Sequence, residues 1–184
     1  MSMLSLYLPP FASDYSGAAS ALFDLDCLIA INDGSCCTLH YVKYDEPRWN
    51  SGRKQTLCTN LRMKDTVFGI DERVVAQLGE AAVDLKAKRI VALGTPVPSV
   101  IGTDMEGLAS ELEYSTRIPS FGIDTTGFST YVSGICKAFE LVMRFAEKDF
   151  ASGAKGPFVN ILGLTPLDFS VDSEPCLGCL FESK

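Results

Sequence analysis

The chain has 184 residues, of which 47% are hydrophobic, 10% aromatic and 21% charged, enough apolar material for one domain with a substantial core. Its 16 Lys and Arg stand against 23 Asp and Glu, a formal net charge of -7, so no general positive field exists to attract a phosphate backbone and nucleic acid is not expected as a partner. The start, MSMLSLYLPPF, has no basic region before its prolines, and no stretch holds ~18 uninterrupted apolar residues, so the expectation is a cytoplasmic protein with no membrane span.

Residues 13–23 (SDYSGAASALF) offer Ser13 or Asp14 as a cap followed by small and apolar residues, which predicts a short helix. Residues 25–33 (LDCLIAIND) predict a buried strand, because Leu28, Ile29, Ala30 and Ile31 are apolar without alternation. A strand apolar on both faces needs a covering layer on each side. Residues 34–56 read as a long irregular connection with a helical turn at TLHYVKY, and long connections often carry function. A short strand is expected at 58–63, and the spacing of Val74, Val75, Leu78, Ala81, Ala82 and Leu85 predicts a helix over 71–88. RIVALGT (89–95) is a second buried strand, followed by a PVPSVIG turn and a helix over 103–114 with Met105, Leu108, Ala109 and Leu112 on one face. IPSFGID (118–124) predicts a third strand, 128–150 a long amphipathic helix, and PFVNILGL (157–164) a fourth buried strand.

Apolar strands separated by helices are the pattern of repeated β-α-β units with right-handed crossovers. The chain is therefore expected to form a three-layer α/β/α, Rossmann-like domain with a mostly parallel sheet over residues 1–166, and a C-terminal arm over 167–184. Ligands of such sheets sit beyond the carboxyl ends of the strands. Those ends carry Asp33 to Cys37, Gly94 to Pro96, Asp124 to Gly127 and Gly163 to Pro166. No G-x-G-x-x-G, P-loop lysine motif or G-x-S-x-G elbow is present, and a His-dependent triad would have to use His40, so no catalytic residue emerges. A small-ligand or nucleotide site at the turn of Thr125, Thr126 and Gly127 is the weaker option.

Seven cysteines, at 27, 36, 37, 58, 136, 176 and 179, are an odd count in a chain large enough to fold without staples, so a disulfide framework explains them poorly. Cys36, Cys37 and His40 put soft ligands at the start of a helical turn, where a thiol pKa is ordinarily lowered; the plainer reading is a buried thiol beside an exposed one, with His40 solvated. Cys176 and Cys179 have the interval of a metal knuckle or a redox dithiol, needing partners from Cys36, Cys37, Cys58 or another subunit, and are otherwise a tail thiol pair. Cys27 and Cys136 fall on apolar faces, where core packing is expected. Asp24, Asp26, Asp33, Asp65, Asp104 and Asp124 stand at element ends, as caps do.

Four segments in order, LIAINDGSCCTLHY, KDTVFGIDERV, VALGTPVPSVIGTDMEGLA and IPSFGIDTTGFSTYVSGICKA, resemble the N-terminal domain of nitrogenase component 1-type proteins. That family includes the molybdenum-iron protein subunits, their cofactor-assembly relatives and the dark-operative protochlorophyllide and chlorophyllide reductases. Its pattern is a buried strand ending in H-G-P-x-G-C, then D-x-V-F-G-G, then a cysteine shortly before I-G-D-D, then a T-P-G-F-x-G turn opening a long helix. Cys37 falls on the cysteine of the first motif and Cys36 on its glycine. Asp65, Val67, Phe68 and Gly69 match the second, Ile101, Gly102 and Asp104 the third, and Thr125, Gly127 and Phe128 the fourth.

The resemblance implies an iron-sulfur cluster at a subunit interface, with Cys36, Cys37, Thr125 and Gly127 as cofactor-binding positions. Metal ligands would come from Cys36, Cys37, Cys58, Cys176, Cys179 and His40. The sequence departs from the pattern where Thr95, Pro96, Val97, Pro98 and Ser99 precede Ile101 without a cysteine, and the family's first cysteine has no counterpart among Leu8, Pro9, Pro10 and Phe11. Most members are more than twice as long, so a homodimer or a partner subunit supplying further α/β domains is expected. The implied function is a nitrogenase-like redox subunit passing electrons to a partner-bound substrate. The alternative is a non-catalytic binding or cofactor-assembly protein that keeps the fold without the cluster.

Overall fold

The structure, a computed structural model, describes residues 12–23, 25–45, 56–68 and 71–149. The elements run α1 (Asp14–Leu22), β1 (Leu28–Ile31), α2 (Cys36–His40) continued by a π-turn (Tyr41–Asp45), β2 (Thr56–Cys58), α3 (Met63–Phe68), α4 (Asp71–Asp84), β3 (Ile90–Leu93), α5 (Pro96–Ile101), α6 (Met105–Thr116), β4 (Ser120–Ile123) and α7 (Tyr131–Asp149). The four strands pair in parallel in the order β2-β1-β3-β4.

The unbroken apolar runs of β1 and β3 have the cause read from the sequence, a cover on each face. Ile29 and Ile31 with Val91 and Leu93 pack against α1 and α7 through Tyr15, Ala18, Leu22, Ala138 and Leu141. Leu28 and Ala30 with Ile90 and Ala92 pack against α4 and α6 through Val74, Leu78, Leu108 and Leu112. The chain is thus a three-layer α/β/α domain. Burying a side chain of this size contributes roughly 1.5–3 kcal/mol, so the two apolar layers carry most of the fold's stability.

Several expected bounds shift. The strand predicted at 58–63 ends at Cys58, and the chain instead turns into α3. The PVPSVIG segment is helical: Pro96 stands in the first turn of α5, where its missing N–H leaves no bond unmade, and Gly102 closes the helix in the left-handed region. On α7, Val132 and Met143 are exposed rather than core-facing. Cys136 is exposed too, contrary to its expected core packing, whereas Cys27 is buried. The strand expected at 157–164 and the arm at 167–184 lie outside the described residues.

The α7 stripe is displaced because its closest neighbour is a helix rather than the sheet. A Cβ added to Gly134 would stand 1.8 Å from the carbonyl oxygen of Asp14, and one added to Gly17 would stand 2.0 Å from that of Tyr131. The two helices therefore meet backbone to backbone through reciprocal glycines, which explains the small-residue composition of α1. Gly134→Ala is expected to lower stability by about 3 kcal/mol or more, because backbone must move rather than a side-chain tip. Thermal unfolding followed by circular dichroism checks this; a midpoint within a degree of wild type would refute the close contact.

Candidate functional site

The carboxyl ends of all four strands converge on a buried polar layer. On β1, the Asn32 carbonyl accepts from Thr95 Oγ1 at 2.8 Å and its side-chain Oδ1 from Thr59 Oγ1 at 2.7 Å, tying β1 to the residues that follow β3 and β2. Thr125 Oγ1 donates to the Gly94 carbonyl at 2.7 Å, tying β4 to β3. Asn32, Thr59, Thr95 and Thr125 are all buried, so each bond is made away from water and would be costly to leave unmade.

The loop after β1 carries the first cysteine pair. Ser35 adopts φ +83°, the left-handed region that favours glycine, and this turn launches α2 with Cys36 exposed and Cys37 half-buried. Asp33 caps the new helix: its Oδ2 accepts from Thr38 N at 3.0 Å and Thr38 Oγ1 at 3.2 Å. Cys58 is on the neighbouring strand end, its Sγ donating to the Asp33 carbonyl at 3.3 Å and accepting from Asn60 N at 3.3 Å. His40 ends α2 instead of joining the cysteines, with its ring 5.2 Å from that of Tyr44.

The electrostatics run against the lowered thiol pKa expected from the helix start. Burial and then the Asp33 carboxylate push the Cys37 thiol up to about 11, against a hydrogen bond from Tyr15 that favours the thiolate. A helix of one turn and a half has little dipole to set against a carboxylate beside the sulfur. Burial likewise pushes Cys27 up to about 12, as suits an inert core thiol.

The turn after β4 is held from a distance by a residue read from sequence only as a candidate cap. Asp14 is completely buried at the start of α1. Its Oδ1 accepts from Gly127 N at 2.7 Å and from Tyr15 N at 3.0 Å, while Oδ2 accepts from Thr126 N at 2.9 Å. Gly127 adopts φ +76°, and a Cβ there would stand 2.4 Å from the Pro96 ring, so conformation and space both require glycine. Thr125 faces the buried layer and Gly127 the Asp14 carboxylate; neither donates a side chain to open space.

Of the other aspartates, Asp104 caps α6 by accepting from Gly107 N at 2.9 Å, and Asp26 pairs with Lys88 at 2.5 Å on the surface. Asp65 is buried. Burial opposes its charge, but the Arg62 N–H at 2.7 Å and the Arg73 guanidinium at 2.5 Å outweigh that and hold its carboxyl below the usual range. Asp65 thus braces the start of α3 against α4.

A cluster of the kind the resemblance implies is commonly held by four thiolates. Among the described residues no three Cys, His, Asp or Glu side chains come together to hold a metal ion. Cys36, Cys37 and Cys58 share one sheet edge without converging, and Cys37 keeps its proton at neutral pH. The described residues by themselves therefore supply no four-thiolate set. Cys176 and Cys179 lie outside the described residues.

At pH 8 iodoacetamide is expected to alkylate exposed Cys36 well before Cys37, and Asp33→Asn to speed Cys37 several-fold by removing the neighbouring charge; peptide mass mapping against pH reads both, and equal rates in wild type would refute the raised thiol. By linkage the proton on Cys37 favours the folded chain fully below the unfolded thiol value of ~8.5 and progressively less as pH climbs towards about 11. Asp14→Ala is expected to cost about 4 kcal/mol and Asp14→Asn about 2 kcal/mol, since an amide keeps one acceptor but sets its NH2 against the Thr126 N–H. Denaturant titration measures the difference, and an Asn variant as stable as wild type would show that the carboxylate charge is not required.

The sequence profile of the nitrogenase component 1-type oxidoreductases matches residues 13–175. A search among curated proteins finds no significant match. Two solved structures of nitrogenase Cp1, one at pH 5 and one at pH 6.5, superpose with a TM-score of 0.59 and 17% sequence identity over 76% of this chain. The chain spans 31% and 30% of their respective lengths. That likeness shows the fold, and the profile, covering most of the chain, shows the family: this chain belongs to the nitrogenase component 1-type oxidoreductases.

Proposed function

We propose that this chain is a nitrogenase component 1-type subunit that docks a partner chain on the carboxyl edge of its sheet and acts there as a binding or assembly module, without a cluster of its own. The observation that carries this reading is the apolar character of that edge. Each segment leaving a strand end exposes large apolar side chains: Leu39 after β1, Met63 at 85% exposure after β2, Val100 at 75% after β3 and Phe128 at 72% after β4. Isolated exposed apolar residues need no explanation, but their recurrence on all four segments of one edge is the mark of an interaction surface.

The buried layer beneath supports the same use. Threonine hydroxyls there donate to the Asn32 side chain and to the Asn32 and Gly94 backbone carbonyls, which commits them to joining the strand ends rather than to chemistry. The second reading is a redox subunit that passes electrons to a partner-bound substrate through an iron-sulfur cluster shared between chains. It is favoured by one specific observation, the presence of exposed Cys36 on the same edge as Cys37 and Cys58.

Iron and acid-labile sulfide analysis of the full chain, purified without oxygen and then treated with iron and sulfide, separates the two. Colourless, metal-free protein after that treatment is the expected result. Stoichiometric iron and sulfide, lost in Cys36→Ser or Cys37→Ser, would overturn the cluster-free reading in favour of the redox subunit.

A further inference from the structure

A second surface lies on the outer side of the α4–α6 layer. The two helices leave a shallow, open groove between them, seen as adjoining depressions of about 600 Å³ and 680 Å³ that share Val75, Ala76 and Ser115. Its apolar part is formed by Val75, Ala76, Val83 and Tyr114, with Ser115 and Thr116 beside them. Gly79 brings the helices together at one end, where an added Cβ would stand 3.1 Å from the Thr116 methyl, and Val83 and Tyr114 border the groove at 62% and 75% exposure.

The rim is mainly acidic. Glu72, Glu80 and Asp84 line it from α4 and Glu111 from α6, and among the described residues no Lys or Arg lines either cavity. Arg117 lies 5.2 Å from the centre of the Tyr114 ring, so the ring at the mouth already engages a guanidinium on one side. An apolar floor between acidic walls is complementary to a helix with an apolar stripe flanked by Lys or Arg, the groove-docking arrangement in which residues at i, i+3, i+4 and i+7 enter the groove. Small side chains at Ala76 and Ser115 leave room for that helix to approach closely.

We infer that the α4–α6 groove docks a cationic amphipathic helix of a partner protein. The surface is built by helix faces rather than strand ends, so this inference stands apart from the carboxyl-edge reading, and the iron measurement does not bear on it.

The test uses the full chain and a fluorescent peptide of roughly fourteen residues made of Leu and Lys, with Leu at helical spacing, followed by anisotropy. Saturable binding is expected, weakened about tenfold or more by Glu72→Lys with Glu111→Lys and by Ala76→Trp, and weakened by salt. Asp124→Lys with Glu140→Lys makes the same change of net charge away from the groove and is expected to leave affinity within about twofold. A peptide with Glu in place of Lys is not expected to bind. Far-ultraviolet circular dichroism confirms that each variant is folded before it is compared.

No saturable binding overturns the inference, as does equal weakening by both pairs of charge reversals, which would mean general attraction to an acidic chain. Full affinity in folded Ala76→Trp, or binding of the acidic peptide, overturns it as well. A groove already filled by a second copy gives no peptide binding and a dimer on sedimentation that Ala76→Trp dissociates, which also overturns it.

Discussion

One anion removed from water sets the geometry on which the rest of the site depends. Asp14 is fully buried, and an isolated carboxylate in that position would be several kcal/mol unfavourable. It is tolerated because the backbone N–H groups of Tyr15, Thr126 and Gly127 point at it. Those donors can do so only if the turn after β4 is folded and α1 lies beside it. The contact joins residues more than a hundred positions apart, so the first helix and the turn into α7 have to be placed together.

The helix contact enforces the same condition sterically. Gly134 leaves space for the Asp14 carbonyl and Gly17 for that of Tyr131, so the Asp14 side chain bonds the turn while its backbone sits against α7. Helices normally stand 8–10 Å apart, and a closer approach needs glycine at each point of contact. The polar layer at the strand ends completes the frame. Asn32 links β1 to the residues after β2 and β3, and Thr125 links β4 to β3, so that the four strand ends are tied together by buried hydrogen bonds.

The architecture was largely legible in the sequence because burial on both faces leaves a plain mark, an apolar run with no alternation, in β1 and β3. Parallel order followed from helices placed between strands. Less legible were features decided by contacts between distant residues. PVPSVIG looks like a turn by its prolines, yet Pro96 suits a helix start; on α7 the apolar residues include exposed Val132 and Met143, and the close approach of Gly134 to α1 shows only in the fold. Asp14 and Ser13 look alike as caps, and nothing local tells that one of them binds a turn more than a hundred residues later. The cysteines of the edge were visible by their spacing, whereas the raised Cys37 thiol was not, since both its burial and the nearby Asp33 carboxylate depend on how α2 is capped and packed.

That last point links the fold to the chemistry. A thiol becomes a ready metal ligand when the protein stabilises its thiolate, and here burial and an acid already committed to holding Thr38 both disfavour the Cys37 thiolate. Asp33 cannot be moved away without releasing α2, and its backbone carbonyl also anchors Cys58. The two half-buried thiols of the edge are thus engaged in structure, Cys37 by burial and a neighbouring charge and Cys58 by hydrogen bonding, while Cys36 is exposed. The proposed use of this edge as a surface met by another chain rests on that commitment. Large apolar side chains on all four outgoing segments give such a surface contact area, and the polar layer below keeps it from collapsing inward.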